Sequence, residues 1–119
     1  KISDLFLNEG AIVSTMGRNQ KDRETVRARP GNSYLGFPVI VLVNEHSASA
    51  AEMVAAFASE NQLATIVGTK TAGRGVAGSG LKVGHGYRVA LPVAIYRTWR
   101  DTNLEGRGVT PDVAVPLDA

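Results

Sequence analysis

Val41-Leu42-Val43-Asn44-Glu45-His46-Ser47-Ala48-Ser49-Ala50-Ala51-Glu52 is the stretch on which the reading of this chain turns. An apolar run over residues 37–43 ends in a polar turn with two serines, and an alanine-rich segment follows. The run is uninterrupted rather than alternating, which predicts a strand buried on both faces, as in a parallel sheet. Residues 47–60 predict a helix, rich in the best helix former and with Met53, Val54 and Phe57 at helical spacing. Ala64-Thr65-Ile66-Val67-Gly68 is a second short apolar strand. Strand, helix and strand within some thirty residues make a βαβ unit.

Working outward, Thr71-Ala72-Gly73-Arg74-Gly75 reads as a glycine-bearing turn. Leu81-Lys82-Val83 and residues 87–95 read as strands joined through Gly84-His85-Gly86, with Pro92 marking an edge or a bend. Residues 103–111 form a loop, and Pro111-Asp112 turns into a last strand, Val113-Ala114-Val115. Upstream, residues 1–8 predict the end of an amphipathic helix with Ile2, Leu5 and Phe6 on one face, stopped at Gly10. Gly10-Ala11-Ile12-Val13-Ser14-Thr15 predicts a strand. Residues 17–33, rich in arginine and containing Pro30-Gly31-Asn32, predict an exposed loop.

Composition narrows the chemistry. At 119 residues the chain suits one domain, and no apolar run approaches the ~20 residues of a membrane-spanning helix. The net charge is only +2, and Asp22 and Glu24 interrupt the basic cluster between Arg18 and Arg29. That pattern suits a solvated loop rather than a nucleic-acid surface. There is no cysteine, which excludes disulfides, thiolate metal sites and cysteine nucleophiles. No His/Asp/Glu cluster has metal-ligand spacing, so metal binding is not expected. The chain opens without methionine on a helix-like segment. We expect a fragment whose amino-terminal part is missing, so the lack of a leader says nothing about location.

The serine turn suits a nucleophile. A hydroxyl at a helix start sits among unpaired backbone N–H groups and the positive end of the helix dipole. The N–H of Ala50, next after Ser49, is placed to donate to an oxyanion. Ser49-Ala50-Ala51-Glu52 equally fits the capping pattern S-x-x-E, a purely structural device. If Ser47 is the cap instead, Ser49 falls inside the helix and its hydroxyl is available for chemistry. His46 is a turn residue more in keeping with solvent than with catalysis, and His85 belongs to a tight turn. Glu52 reads as a cap or a helix-start charge. Tyr96 and Trp99 read as strand packing, with a cleft lining as the alternative. Gly73 and Gly75 lack the remaining residues of a phosphate loop.

The wider pattern is Val-Leu-Val-Asn, then Ser-Ala-Ser-Ala-x-Glu, then Ile66-Val67-Gly68-Thr69-x-Thr71-x-Gly73-Arg74-Gly75, then Glu105-Gly106-x-Gly108-Val109-x-Pro111-Asp112. In order and spacing it resembles the carboxy-terminal processing (tail-specific) serine peptidases, over about two thirds of the chain, residues 37–115. The resemblance implies an α/β fold, a crotonase-like or ClpP-like core of stacked ββα units. Residues 1–119 would be one partial catalytic domain, truncated at its amino terminus. It further implies hydrolysis of peptide bonds near protein carboxyl termini, without metal or cofactor, and an extracytoplasmic location. The family nucleophile falls on Ser49, with Ala50 N–H as one oxyanion donor. The second donor belongs to an upstream glycine-rich strand end outside this chain.

One position departs. The family base is a lysine in a Thr-x-Gly-Lys-Gly turn, and here that place holds Arg74, 25 residues after Ser49. An arginine stays protonated and cannot serve as a base. Three readings follow. The chain resembles the tricorn-like branch, where a histidine outside this chain is the base and Glu105 occupies the place of the orienting glutamate. Alternatively Lys70 substitutes for the missing lysine. Or the protein is a degenerate homologue that binds peptides or hydrophobic ligands, as retinoid-carrier repeats of this fold do. A crotonase-type acyl-CoA enzyme is a more distant alternative, since those enzymes use no serine on this turn.

Overall fold

A computed structural model describes residues 1–19, 21–31, 34 and 36–116. Among the described residues seven strands and one α-helix follow each other as β1 (Ala11–Met16), β2 (Arg23–Arg27), β3 (Ile40–Val43), α1 (Ala50–Glu60), β4 (Thr65–Gly68), β5 (Val76–Gly84), β6 (Tyr87–Thr98) and β7 (Val113–Ala114). They form two sheets. One is antiparallel in the order β2-β1-β6-β5, and the other is parallel in the order β3-β4-β7.

The βαβ unit is present as β3-α1-β4, with Ile40 to Val43 paired in parallel with Thr65 to Gly68. One face of α1 supplies Ala55, Ala56 and Ala58 to a core that also contains Val43, Ile66, Leu104 and Val109. Small alanine side chains let the helix lie close to the sheet. Asp112 pins β7 alongside β4: its N–H donates to Ile66 O (2.8 Å) and its carboxylate accepts from Ile66 N–H (2.7 Å).

The structure corrects several local expectations. The helix at residues 1–8 is a single 3₁₀ turn, Ser3–Leu5. Residues 17–33 are not one loop, because Arg23–Arg27 pairs antiparallel with β1. Every residue of β2 is exposed, so it carries the charged pattern of an edge strand rather than hydrophobic alternation. Gln20, Asn32 and Ser33, which also belong to that expected loop, lie outside the described residues. The helix begins at Ala50 rather than at residue 47, because Ser49 turns the chain out of helical geometry. Finally, β3 is not buried on both faces: Val43 is buried, but Ile40 is 66% and Leu42 78% exposed. Helix α1 covers one face of the three-stranded sheet, and no described residue layers the other face over Ile40 and Leu42.

Strand β5 starts earlier than the sequence suggests, at Val76, and with β6 makes a long hairpin. The turn is His85-Gly86, both with positive φ (50° and 81°), as a two-residue type I′ turn requires. Residues 80–93 are exposed throughout, so the hairpin stands clear of the core. This accounts for a radius of gyration of 16.0 Å, against the ~13–14 Å of a compact domain this long. Pro92 sits where β6 has only β5 beside it, since β1 reaches only Ile95 to Thr98, and the register shifts next to it.

Candidate active site

The chain leaves β3 at Val43 and turns immediately. Ser47 N–H donates to Asn44 O (2.9 Å), and Ser47 Oγ accepts from Asn44 N–H (3.1 Å). The hydroxyl of Ser47 therefore closes the turn and does not cap the helix. Ser49 is the N-cap of α1 in a capping box with both halves present: its N–H donates to the Glu52 carboxylate at 2.9 Å, and its side chain faces the backbone N–H of Glu52. Its backbone is unusual, with φ 56° and ψ −121°. That region is sparsely populated by residues with a Cβ and costs on the order of 1–3 kcal/mol. The result is a sharp strand-to-helix turn with a half-exposed serine at its apex, the geometry of a nucleophile elbow.

The first turn of α1 is electrophilic. Ala51 N–H turns back to Ala48 O (3.2 Å) and Met53 N–H bonds to Ser49 O (3.2 Å). Ala50 N–H, at the first helical position, is one of the donors that a helix start leaves without an intrahelical acceptor. It follows Ser49 directly in the chain, at the positive end of the helix dipole.

Glu52 organises the rest. It is 0% exposed. Its Oε1 accepts from the Thr71 hydroxyl and from Gly73 N–H (2.7 Å), and its Oε2 from Arg74 N–H (2.8 Å) as well as Ser49 N–H. Burial pushes this carboxyl up, but the hydrogen bonds from Thr71, Arg74, Gly73 and Ser49 outweigh it and hold it below its ordinary 4.5. The sequence reading assigned Glu52 to the helix cap, which accounts for one of the four donors. The other three come from the turn at residues 71–75, and nothing local in the sequence announces them.

That turn is clamped from its other side by the loop at residues 104–109. Gly106 N–H donates to Gly73 O (2.9 Å), Thr71 N–H to Val109 O (3.1 Å), and Gly75 N–H to Glu105 Oε2 (2.6 Å). The approach is so close that a Cβ on Gly75 would lie 2.5 Å from Glu105 N. The four residues singled out from the sequence thus fall in three linked segments. Ser49 and Ala50 sit on the helix start, Arg74 on the adjacent turn, and Glu105 on the facing loop, where it accepts from the N–H of Gly75, next to Arg74. The Arg74 side chain is exposed, as is Lys70. The His46 side chain is 85% exposed, with its Nε2 3.7 Å from Glu45 Oε1. Trp99 is exposed at the end of β6, with the Arg100 guanidinium 5.5 Å from its ring centroid. Among the described residues no group of His, Asp or Glu is arranged to hold a metal ion.

Comparison with known proteins gives this arrangement a context. The model of peptidase family S41 matches residues 1–115. A carboxy-terminal-processing protease of Bartonella bacilliformis is 40% identical over 114 residues, 96% of this chain and 26% of that protein. The chloroplastic carboxyl-terminal-processing peptidase 1 of Arabidopsis thaliana is 34% identical over 91% of this chain and 22% of its own length. The solved structure of a photosystem II D1 C-terminal processing protease superposes with a TM-score of 0.85 at 26% identity, over 97% of this chain and 30% of that one. The chain therefore spans about a quarter of the length of the curated relatives it matches. With the family model covering nearly all of it and the fold shared, the chain belongs to peptidase family S41, the family of the carboxy-terminal processing proteases.

Proposed function

We propose that this chain carries the nucleophile of a serine-type endopeptidase that cuts protein substrates near their carboxyl termini. The observation that carries the reading is the backbone of Ser49, held at φ 56° and ψ −121° at the apex of a strand-to-helix turn. Strain at that point has little use in a simple cap. In the proposed reaction Ser49 Oγ attacks the scissile carbonyl as its proton passes to a base. Ala50 N–H donates to the oxyanion. Collapse expels the amine of the leaving segment, which takes up that proton. Water then hydrolyses the acyl-enzyme and frees Ser49. The substrate is an extended, apolar chain end laid alongside a strand. An extracytoplasmic or organellar setting goes with this activity.

The base comes from outside the chain. A guanidinium is no base, so Arg74 does not fill the place of the family's lysine, and Glu105, tied to Gly75, is the group that orients the incoming base. The second oxyanion donor is also supplied from elsewhere, so the 119 residues alone are inactive. The test uses the full-length protein that carries this chain and an unfolded substrate with an apolar carboxy-terminal tail. Cleavage that disappears in Ser49→Ala supports the reading, and cleavage that survives it overturns it.

Arg74 also favours a second reading, a peptide- or hydrophobic-ligand-binding module of the same fold that has lost its base. That reading predicts equal tail binding, with no cutting, by the wild type and Ser49→Ala.

A further inference from the structure

Ser49 cannot hold its conformation unaided, because positive φ at a residue with a Cβ relaxes unless neighbouring structure over-determines it. The restraint reaches it through Glu52, whose oxygen receives the Ser49 N–H at 2.9 Å. Glu52 must in turn be fixed from the far side. Thr71 does this from a buried position, only 6% exposed. Its hydroxyl donates to Glu52 Oε1 and accepts from Val109 N–H at 2.7 Å. The direction of this chain is fixed by chemistry. An N–H can only donate and an ionised carboxylate can only accept, so the single hydroxyl proton points at Glu52. A hydroxyl that accepts from an N–H is polarised into a stronger donor.

We infer that Thr71 is a positioning residue for Ser49, acting through Glu52 and anchored by Val109. It couples the loop at residues 104–109 to the helix start, so that Ser49 N–H and Arg74 N–H meet one immobile carboxylate oxygen. The inference rests on the reading of Ser49 as nucleophile for its catalytic consequence, but not for its structural one. Valine at position 71 keeps the shape and removes the hydroxyl, leaving Val109 N–H and Glu52 Oε1 each short of a partner. Serine keeps the hydroxyl and removes only a methyl.

The experiment compares wild type, Thr71→Val and Thr71→Ser in the full-length protein, by residue-resolved amide hydrogen exchange and by cleavage kinetics on the tailed substrate. Thr71→Val is expected to speed exchange of the Ser49 and Arg74 amides about tenfold. It is expected to lower kcat by roughly 10–100-fold with KM near the wild-type value. Thr71→Ser is expected to restore both. Unchanged exchange at Ser49 in Thr71→Val overturns the inference whatever the activity does. So does a Thr71→Ser protein as impaired as Thr71→Val. Cleavage that persists in Ser49→Ala sinks the nucleophile reading instead, while the exchange rates still decide whether Thr71 holds the turn. Thr71→Ala serves under the same criteria if Thr71→Val does not fold.

Discussion

Ser49 and Arg74 hang from the same atom: both backbone N–H groups donate to Oε2 of Glu52, at 2.9 and 2.8 Å. Their nitrogens are therefore within about 6 Å of each other, although 25 residues separate them in sequence. Glu52→Gln tests how much of the fold depends on this atom. Whichever way the amide faces, its NH₂ meets an N–H that needs an acceptor. Gly73 N–H waits at one oxygen, and Ser49 and Arg74 N–H at the other. A buried donor without an acceptor costs about 1–3 kcal/mol. Glu52→Gln is expected to lower the unfolding free energy by about 2–3 kcal/mol in urea titrations.

The same carboxylate makes stability depend on pH. Its folded value lies below the ordinary 4.5, so the unfolded chain binds the proton more readily. The stabilisation is then fully present above the unfolded value and is lost as pH falls through the folded one. Asp4, beside Arg29, and Glu45, bonded by its own N–H and the Thr69 hydroxyl, are also lowered and act with the same sign. The difference between wild type and Glu52→Gln isolates Glu52. Urea midpoints of the wild type should drop more steeply between pH 5 and 3, on the order of the carboxylate window, and the two proteins should converge at the acid end.

Gly75 faces the loop at residues 104–109 with no room for a side chain. An added Cβ would lie 2.5 Å from Glu105 N and 3.0 Å from the Leu104 carbonyl carbon, both backbone atoms that cannot swing aside. Gly75→Ala should pry the two loops apart, weaken the 2.6 Å bond from Gly75 N–H to Glu105, and cost about 1–3 kcal/mol. Gly80→Ala, on the projecting hairpin with nothing within 4 Å of the new Cβ, should stay within about 0.5 kcal/mol of wild type. Thermal unfolding of both variants checks the contrast.

The features that could be read from the sequence are those with a short-range cause. The βαβ unit shows because an apolar run and an alanine-rich segment each span several residues. The pairing of Ser49 with Glu52 shows because a capping box lies within four residues. Beyond that range the signal fades. Glu52 meets Thr71, Gly73 and Arg74 across 19 to 22 residues, and no periodicity encodes such a meeting. Strand β2 escaped notice because an edge strand need not alternate, and Arg23 to Arg27 is exposed along its whole length. The apolar run of β3 foretold burial on two faces, yet Ile40 and Leu42 remain open. Sequence reports what a strand can bury, whereas packing decides what is there to cover it.

Arg74→Lys separates the two readings of the turn. A lysine there acts as a base only when neutral. If the base comes from outside the chain, Arg74→Lys should leave kcat/KM within a few-fold of wild type, with an unchanged pH profile. A gain in cleavage that rises with pH through the lysine range would instead mark position 74 as the vacant seat of the base.

Glu105→Gln addresses the base from the other side. Glutamine retains a carbonyl oxygen that can accept the Gly75 N–H, now bonded to Glu105 Oε2 at 2.6 Å. The clamp between the two loops should therefore survive, and the melting temperature should move by no more than about 2 °C. What is lost is the negative charge. A carboxylate orients a base and stabilises its protonated form while the proton is held, and an amide does so far less well. Turnover on the tailed substrate should fall by roughly 100-fold or more, mostly in kcat. Undiminished turnover in a folded Glu105→Gln protein would remove Glu105 from the proton path and leave it as a structural cap on Gly75.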